Sequence, residues 1–204
     1  MKKSIDIELL WHLDQIVLPF PVTIITTVDK EGRINAAPYS LVIPFCASPE
    51  TPQILLSCNS HWHTPHNIEA TGEFVVNYPG AELCREVAET GRFYPQGVNE
   101  LEYAKLSVIP SNKVKPPRIK ECREHLECRV AQTIRPSKTQ ITFVADIVDI
   151  SIDEKFLNLS RDERIREMNL PVYFGPSKGG GSTFGIIDEY KVFSPDIKPD
   201  FEKK

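Results

Sequence analysis

The chain has 204 residues, 41% of them hydrophobic and 25% charged, with a formal net charge of −4 at pH 7. That balance fits one globular domain with a sizeable core and sets disorder aside. Its 24 Lys and Arg lie scattered among 28 Asp and Glu without a basic stripe, which argues against a nucleic-acid footprint.

The opening MKKSIDIELL carries Asp6 and Glu8 where a leader peptide would be apolar, so a cytoplasmic protein is expected. Leu9, Leu10, Leu13, Ile16 and Val17 recur at helical spacing and predict an amphipathic helix over about 4–17. The longest apolar run, IVLPFPVTIITTV, contains two prolines and three threonines and is too short to span a bilayer. VTIITTV, the turn DKEG and RINAAPYSLVIPF read as strand, reversal and strand. QILLSC and GEFVVNY are two further short strands. Between them, Thr64 suits a helix N-cap, Pro65 the first helical position and Gly72 the stop, so a short helix over about 65–71 is expected. AELCREVAETG predicts a second, ending at Gly91.

Past VKPPRI, HLECRVAQTI and QITFVADIVDISI read as an antiparallel hairpin across RPSKT. Ile141, Phe143, Ala145 and Ile147 fall on one side of it. Ser160 and Glu163 form a capping-box pattern opening a last helix. FGPSKGGGSTFG, in a C-terminal extension over about 155–204, reads as a loop. Uneven strands joined by hairpins, with short helices inserted, exclude regular β-α-β alternation. The expectation is a single mostly-β domain over 1–204, an antiparallel barrel or sandwich with peripheral helices.

Three of the five histidines crowd into SCNSHWHTPHNI, residues 57–68. A helix starting at Thr64 would leave the N–H groups of His66 and Asn67 free, and with the helix dipole these favour an anion. Ser57, Asn59 and Thr64 add donors, and the histidines adjustable charge. Cys58, His61, His63 and His66 also give C-x2-H-x-H-x2-H. Zinc sites with such spacing need a distant second half, and His125 and Cys128 lie three apart on a strand, on opposite faces. A metal site is therefore the weaker reading beside an anion site, and a solvated loop stays open. In GRINAAPYSLV, small Ala36 and Ala37 before Pro38 allow close approach to the backbone, beside the Tyr39 ring and the Ser40 hydroxyl; a strand kinked at proline is the plain alternative. The glycines 179–181 match no nucleotide fingerprint. Asp146 and Asp149 read as surface charges.

In order, PVTIITTVDKEGRINAAPYS, SCNSHWHTPHNI, TGEFVVN, VKPPRI and LECRV resemble the flavin reductase-like family with the FMN-binding split β-barrel. That family includes flavoredoxin-type proteins and the reductases of two-component monooxygenases. The resemblance covers roughly residues 20–150. It implies an antiparallel Greek-key split β-barrel with short peripheral helices, binding FMN. It implies that Ala37, Pro38, Tyr39 and Ser40 lie along the isoalloxazine. Ser57, Cys58, Asn59, His63, Thr64 and Asn67 would surround the ribityl chain and phosphate, with Gly91 and Arg92 near the flavin. NAD(P)H as hydride donor, an acceptor protein or free flavin, and a homodimer follow from the same likeness. An FMN electron carrier without a nicotinamide site, and a non-enzymatic metal-binding module using Cys58, His61, His63 and His66, are the alternatives. Relatives carry basic residues and an Asp where this chain has His61, Trp62 and His63, so FMN affinity is expected to fall as pH rises from 6 to 8.

Overall fold

A computed structural model describes residues 18–176 and 182–186, so the helix expected over 4–17 lies outside the described residues. After β1 (Phe20–Pro21) come β2 (Thr23–Val28) and β3 (Ile34–Tyr39), a hairpin closed at Asp29–Arg33. Gly32 turns at φ 82°, and Asp29 Oδ1 accepts the N–H groups of Glu31 (3.0 Å) and Arg33 (2.9 Å), which fixes the reversal. RINAAPYSLVIPF is not one strand, as read from the sequence. β3 stops at Tyr39, Ser40 and Leu41 intervene, and β4 (Val42–Cys46) runs on to pair with β5 (Gln53–Asn59).

Helix α1 (His63–Thr71) follows and ends at Gly72, which takes the left-handed φ of 73° and returns its N–H to Ile68 O at 2.7 Å. Then come β6 (Glu73–Tyr78), α2 (Cys84–Thr90), α3 (Glu100–Ala104) and the small pair β7 (Val108–Ile109) and β8 (Arg118–Ile119). β9 (Glu124–Ile134) and β10 (Gln140–Ile152) form the long hairpin that the alternation predicts. α4 (Arg161–Met168) starts with the expected capping box, Ser160 and Glu163 each bonding the other's backbone N–H.

The sheet order is β3-β2-β6-β9-β10-β5-β4, every described pairing antiparallel. β5 lies beside β10 rather than beside β6, so the α1 connection steps over the β9–β10 hairpin in Greek-key fashion. The two outermost strands, β3 and β4, are joined by two residues. Three Cα steps span at most about 11 Å, whereas the edges of a flat seven-stranded sheet would stand about 29 Å apart. The sheet must therefore curl until its edges almost meet. That is a split barrel, as the resemblance implied.

Inside the curl, Ile25, Val42, Leu56, Ile68, Phe74 and Phe143 pack together with almost no exposure. A second cluster, with Ile24, Ala36, Val87, Leu101 and Ile119, seals the outer face of β2 and β3 under α2 and α3. Every residue of β2 is consequently buried. One expectation is corrected: within FGPSKGGGSTFG, β11 (Val172–Pro176) and β12 (Ser182–Gly185) pair as strands, and β11 also pairs with β1. The glycines masked an aromatic contact, Tyr173 against Phe184 with centroids 5.9 Å apart, that anchors this small sheet. Residues 177–181 lie outside the described residues.

Candidate functional site

The seam between β3 and β4 is where the sequence-derived candidates converge. Ala37, Pro38 and Ser40 are half-buried at the end of β3, and Leu41 O takes the N–H of Ser57 from β5 at 3.0 Å. As an edge strand, β3 has backbone groups on one side outside the ladder, and Pro38 is tolerated there because its missing N–H costs no ladder bond. One of those outer groups, the N–H of Ala36, donates to Glu100 Oε2 at 2.8 Å. Glu100 is 4% exposed, and its burial holds the carboxyl above the usual range.

Asn35 completes this support. With its amide oriented to satisfy both ends, Nδ2 donates to Glu100 Oε1 (3.2 Å) and Oδ1 accepts from the Thr64 hydroxyl (3.1 Å). β3, α3 and α1 are thereby tied together behind the seam. From α2, Gly91 lies against Pro38, bringing two more candidates together, while Arg92 is mostly exposed and pairs with Glu89 at 3.1 Å.

The start of α1 differs from expectation. Its N-cap is Trp62, with no side-chain cap bond, and not Thr64. Asn59 makes the turn instead: its Oδ1 accepts the His61 N–H (3.0 Å) and its carbonyl the Trp62 N–H (3.3 Å). Thr64 is unavailable as a cap because it is 1% exposed and bonded to Asn35. The N–H groups left free by helix geometry are thus those of His63 and Thr64, rather than of His66 and Asn67. Asn67 is buried too, its Nδ2 donating to Thr27 Oγ1 at 3.1 Å.

β5 alternates as a strand with one face in the core. Cys58 points inward, 1% exposed, and burial pushes its thiol up to about 12. Ser57 faces the other way, within 2.7 Å of both Thr142 Oγ1 and Gln140 Nε2. Cys58 is therefore separated from His61 and His66, which are exposed. Among the described residues no group of three or more His, Cys, Asp or Glu is placed to hold a metal. His125 and Cys128 do lie on opposite faces: Cys128 in the barrel core, His125 bonded to Ile119 O (2.8 Å) and Ser151 Oγ (3.1 Å). Asp146 and Asp149 accept from Gln53 and Asn112, at 2.8 and 2.9 Å.

Tyr39 is 6% exposed, and burial raises its phenol well above the usual value. Its hydroxyl lies beside Cys58 and Thr64 without reaching hydrogen-bond geometry to either. The ring meets Trp62 edge-on at 5.9 Å, joining the end of β3 to the start of α1. Glu100 and Asn35 are participants the sequence reading missed. The β9–β10 turn is held against the α1 approach by Ser60, whose N–H donates to Thr139 O (2.9 Å) and whose hydroxyl donates to Lys138 O (3.1 Å). Nothing local in RPSKT signals that placement.

Comparison with known proteins agrees with this architecture. A family model described as "Flavin reductase like domain" matches residues 16–167. An uncharacterized protein of Methanothermobacter thermautotrophicus is 41% identical over 114 residues, 56% of this chain and 53% of that one, so the match spans about half of that relative. Among solved structures, nitrilotriacetate monooxygenase component B from Bacillus cereus superposes with a TM-score of 0.77 at 21% identity, covering 95% of this chain and 100% of that one. Flavoredoxin of Desulfovibrio vulgaris (Miyazaki F) gives 0.77 at 20% identity, covering 95% and 97%.

Proposed function

The chain belongs to the flavin reductase-like family, and from that premise we propose that it binds FMN at the β3–β4 seam and passes hydride to it from NAD(P)H. The observation that carries the reading is the junction of the seam with the start of α1, made by the Tyr39–Trp62 contact and the Asn35–Thr64 bond. It sets free helix N–H groups beside an edge strand with open backbone groups. A phosphate suits the first and a flat heterocycle with amide-like edges the second.

The residues present fit such a cofactor, though partly through the backbone. His63 and Thr64 would hold the phosphate by their N–H groups. Ser57 and Asn59 would serve the ribityl chain. Ala37, Pro38, Tyr39 and Ser40 would line the ring, with Gly91 and Arg92 behind it. The side chains of Cys58, Thr64 and Asn67 are engaged internally, so they shape the site rather than touch the ligand. Bound flavin supplies the hydride-accepting chemistry, and the protein's part is orientation and electrostatics. No acid–base dyad is required. Exposed Ile43 and Phe45 on the free edge of β4 support pairing with a second copy.

The test is the absorption spectrum of untagged protein, with any chromophore released and weighed, followed by stopped-flow reduction with NADH and NADPH. FMN reduced at a catalytic rate supports a reductase whose acceptor is a partner protein or free flavin. FMN that neither nucleotide reduces makes the protein a carrier. A colourless protein that fails to bind added FMN overturns the proposal.

A further inference from the structure

Trp62 stands where both halves of this site meet. It is the residue before α1, so its backbone adjoins the free N–H groups of His63 and Thr64. Its indole also lies edge-on against Tyr39, the last residue of β3. A ligand reaching from the helix start to the end of β3 must pass this ring. Yet Trp62 is 45% exposed, although large aromatic residues are usually covered when they serve only the core. The segment 57–68 contains neither Lys nor Arg, so the sequence around the helix start offers an anion no permanent side-chain charge of its own.

The geometry points to Trp62 as an aromatic wall of the flavin site: its open indole packs on the bound flavin and supplies a large part of the affinity. This rests on the reading above that the seam takes FMN. Tyr39 does not compete for the role, because it is buried and acts as the buttress that fixes the indole's position. An aromatic face is tolerant of the ligand's charge, so this contribution persists at ionic strengths that screen the phosphate contacts.

The experiment combines FMN titration with flavin emission, using the full chain and W62L, W62F and W11F variants. An indole in contact with isoalloxazine quenches flavin emission by electron transfer to the excited ring. Trp11 is the only other tryptophan in the sequence, and W11F removes its contribution. The expected result is strongly quenched bound FMN in the wild type and in W11F, with emission recovered in W62L. W62L should also bind about tenfold more weakly, the scale of one aromatic stacking contact. W62F, which retains a ring against Tyr39, should bind close to the wild type, which separates a lost wall from a lost fold. W62L with unchanged affinity and unchanged emission overturns the wall while leaving the FMN reading intact. Wild-type protein that binds no FMN overturns both.

Discussion

Gly91 packs so closely on Pro38 that a methyl group in place of its Cα hydrogen would lie 3.0 Å from Pro38 Cγ and 3.3 Å from Ala88 O. The backbone at Gly91 is ordinary, φ −86° and ψ 0°, so the constraint there is space rather than conformation. Neither neighbour yields readily, one being a ring within a strand and the other a helix carbonyl. Gly91→Ala is therefore expected to destabilise the fold by about 1 kcal/mol, overpacking being partly offset by a stiffer unfolded chain. It should weaken FMN as well, by displacing Pro38 along the seam. Urea unfolding and flavin titration on the same variant check both.

Thr64 gives a sharper test of how α1 is fastened. Thr64→Val removes one of the two donors to Asn35 Oδ1, the Ala36 N–H at 3.2 Å remaining, at a cost of about 1 kcal/mol. Thr64→Ser keeps the hydroxyl and should recover most of that loss. FMN affinity should follow stability across the pair, since the Thr64 N–H is present in both. An affinity loss in Thr64→Val without any stability loss would mean that the hydroxyl contacts the ligand directly.

Burial raises the Glu100 pKa above its ordinary value of 4.5, the Ala36 N–H opposing this only in part. For an acid raised on folding, stability is complete below the unfolded value and is lost as pH rises through the folded one. Glu100→Gln should flatten that decline, provided the Asn35 amide turns to present its oxygen. Glu100→Ala should instead cost about 1–3 kcal/mol at neutral pH, because the Ala36 N–H and the Asn35 amide N–H both lose the carboxylate that accepts from them. Denaturation midpoints between pH 4.5 and 7.5 separate the two.

His125 works in the other direction. Ile119 O can only accept, so Nε2 carries the proton, and Nδ1 accepts from the Ser151 hydroxyl, which in turn accepts from Arg118 Nη1 at 3.0 Å. Burial lowers the imidazole below its ordinary 6.5, opposed by the bond to Ile119 and, less, by the Glu127 charge, with a smaller lowering from Arg118. The unfolded chain therefore takes up a proton first, and stability falls as pH drops through 6.5 towards the depressed folded value. His125→Gln, which can still donate to Ile119, should remove that acid sensitivity. A slope that survives the substitution would place its origin elsewhere.

Most of the sheet was legible from local patterning. The β9–β10 hairpin followed from alternation, the capping box from Ser160 and Glu163, and the end of α1 from Gly72. The break at Ser40–Leu41 was not, because VIPF continues the apolar run and only the pairing of β4 with β5 removes it from β3. Thr64 was misread as a cap because its competing partner, Asn35, is 29 residues away in sequence. Glu100 gave no local sign at all: its role exists only once α3 is laid beneath β3. The candidate site was thus readable as a set of segments. Which side chains face outward was decided by contacts between strands that no single stretch encodes.

The two-residue link between the sheet's outermost strands also sets an order of events. β3 and β4 are neighbours in sequence, but they come edge to edge only through the five strands between them, two of which come from residues 124–152. The link keeps their facing ends close at every stage, but no partially assembled sheet fixes their relative orientation, and pairing between distant segments is slow. In refolding, flavin capture should consequently lag behind strand formation seen by circular dichroism. A ligand that waits for the closed seam reports when the last of the barrel has arrived.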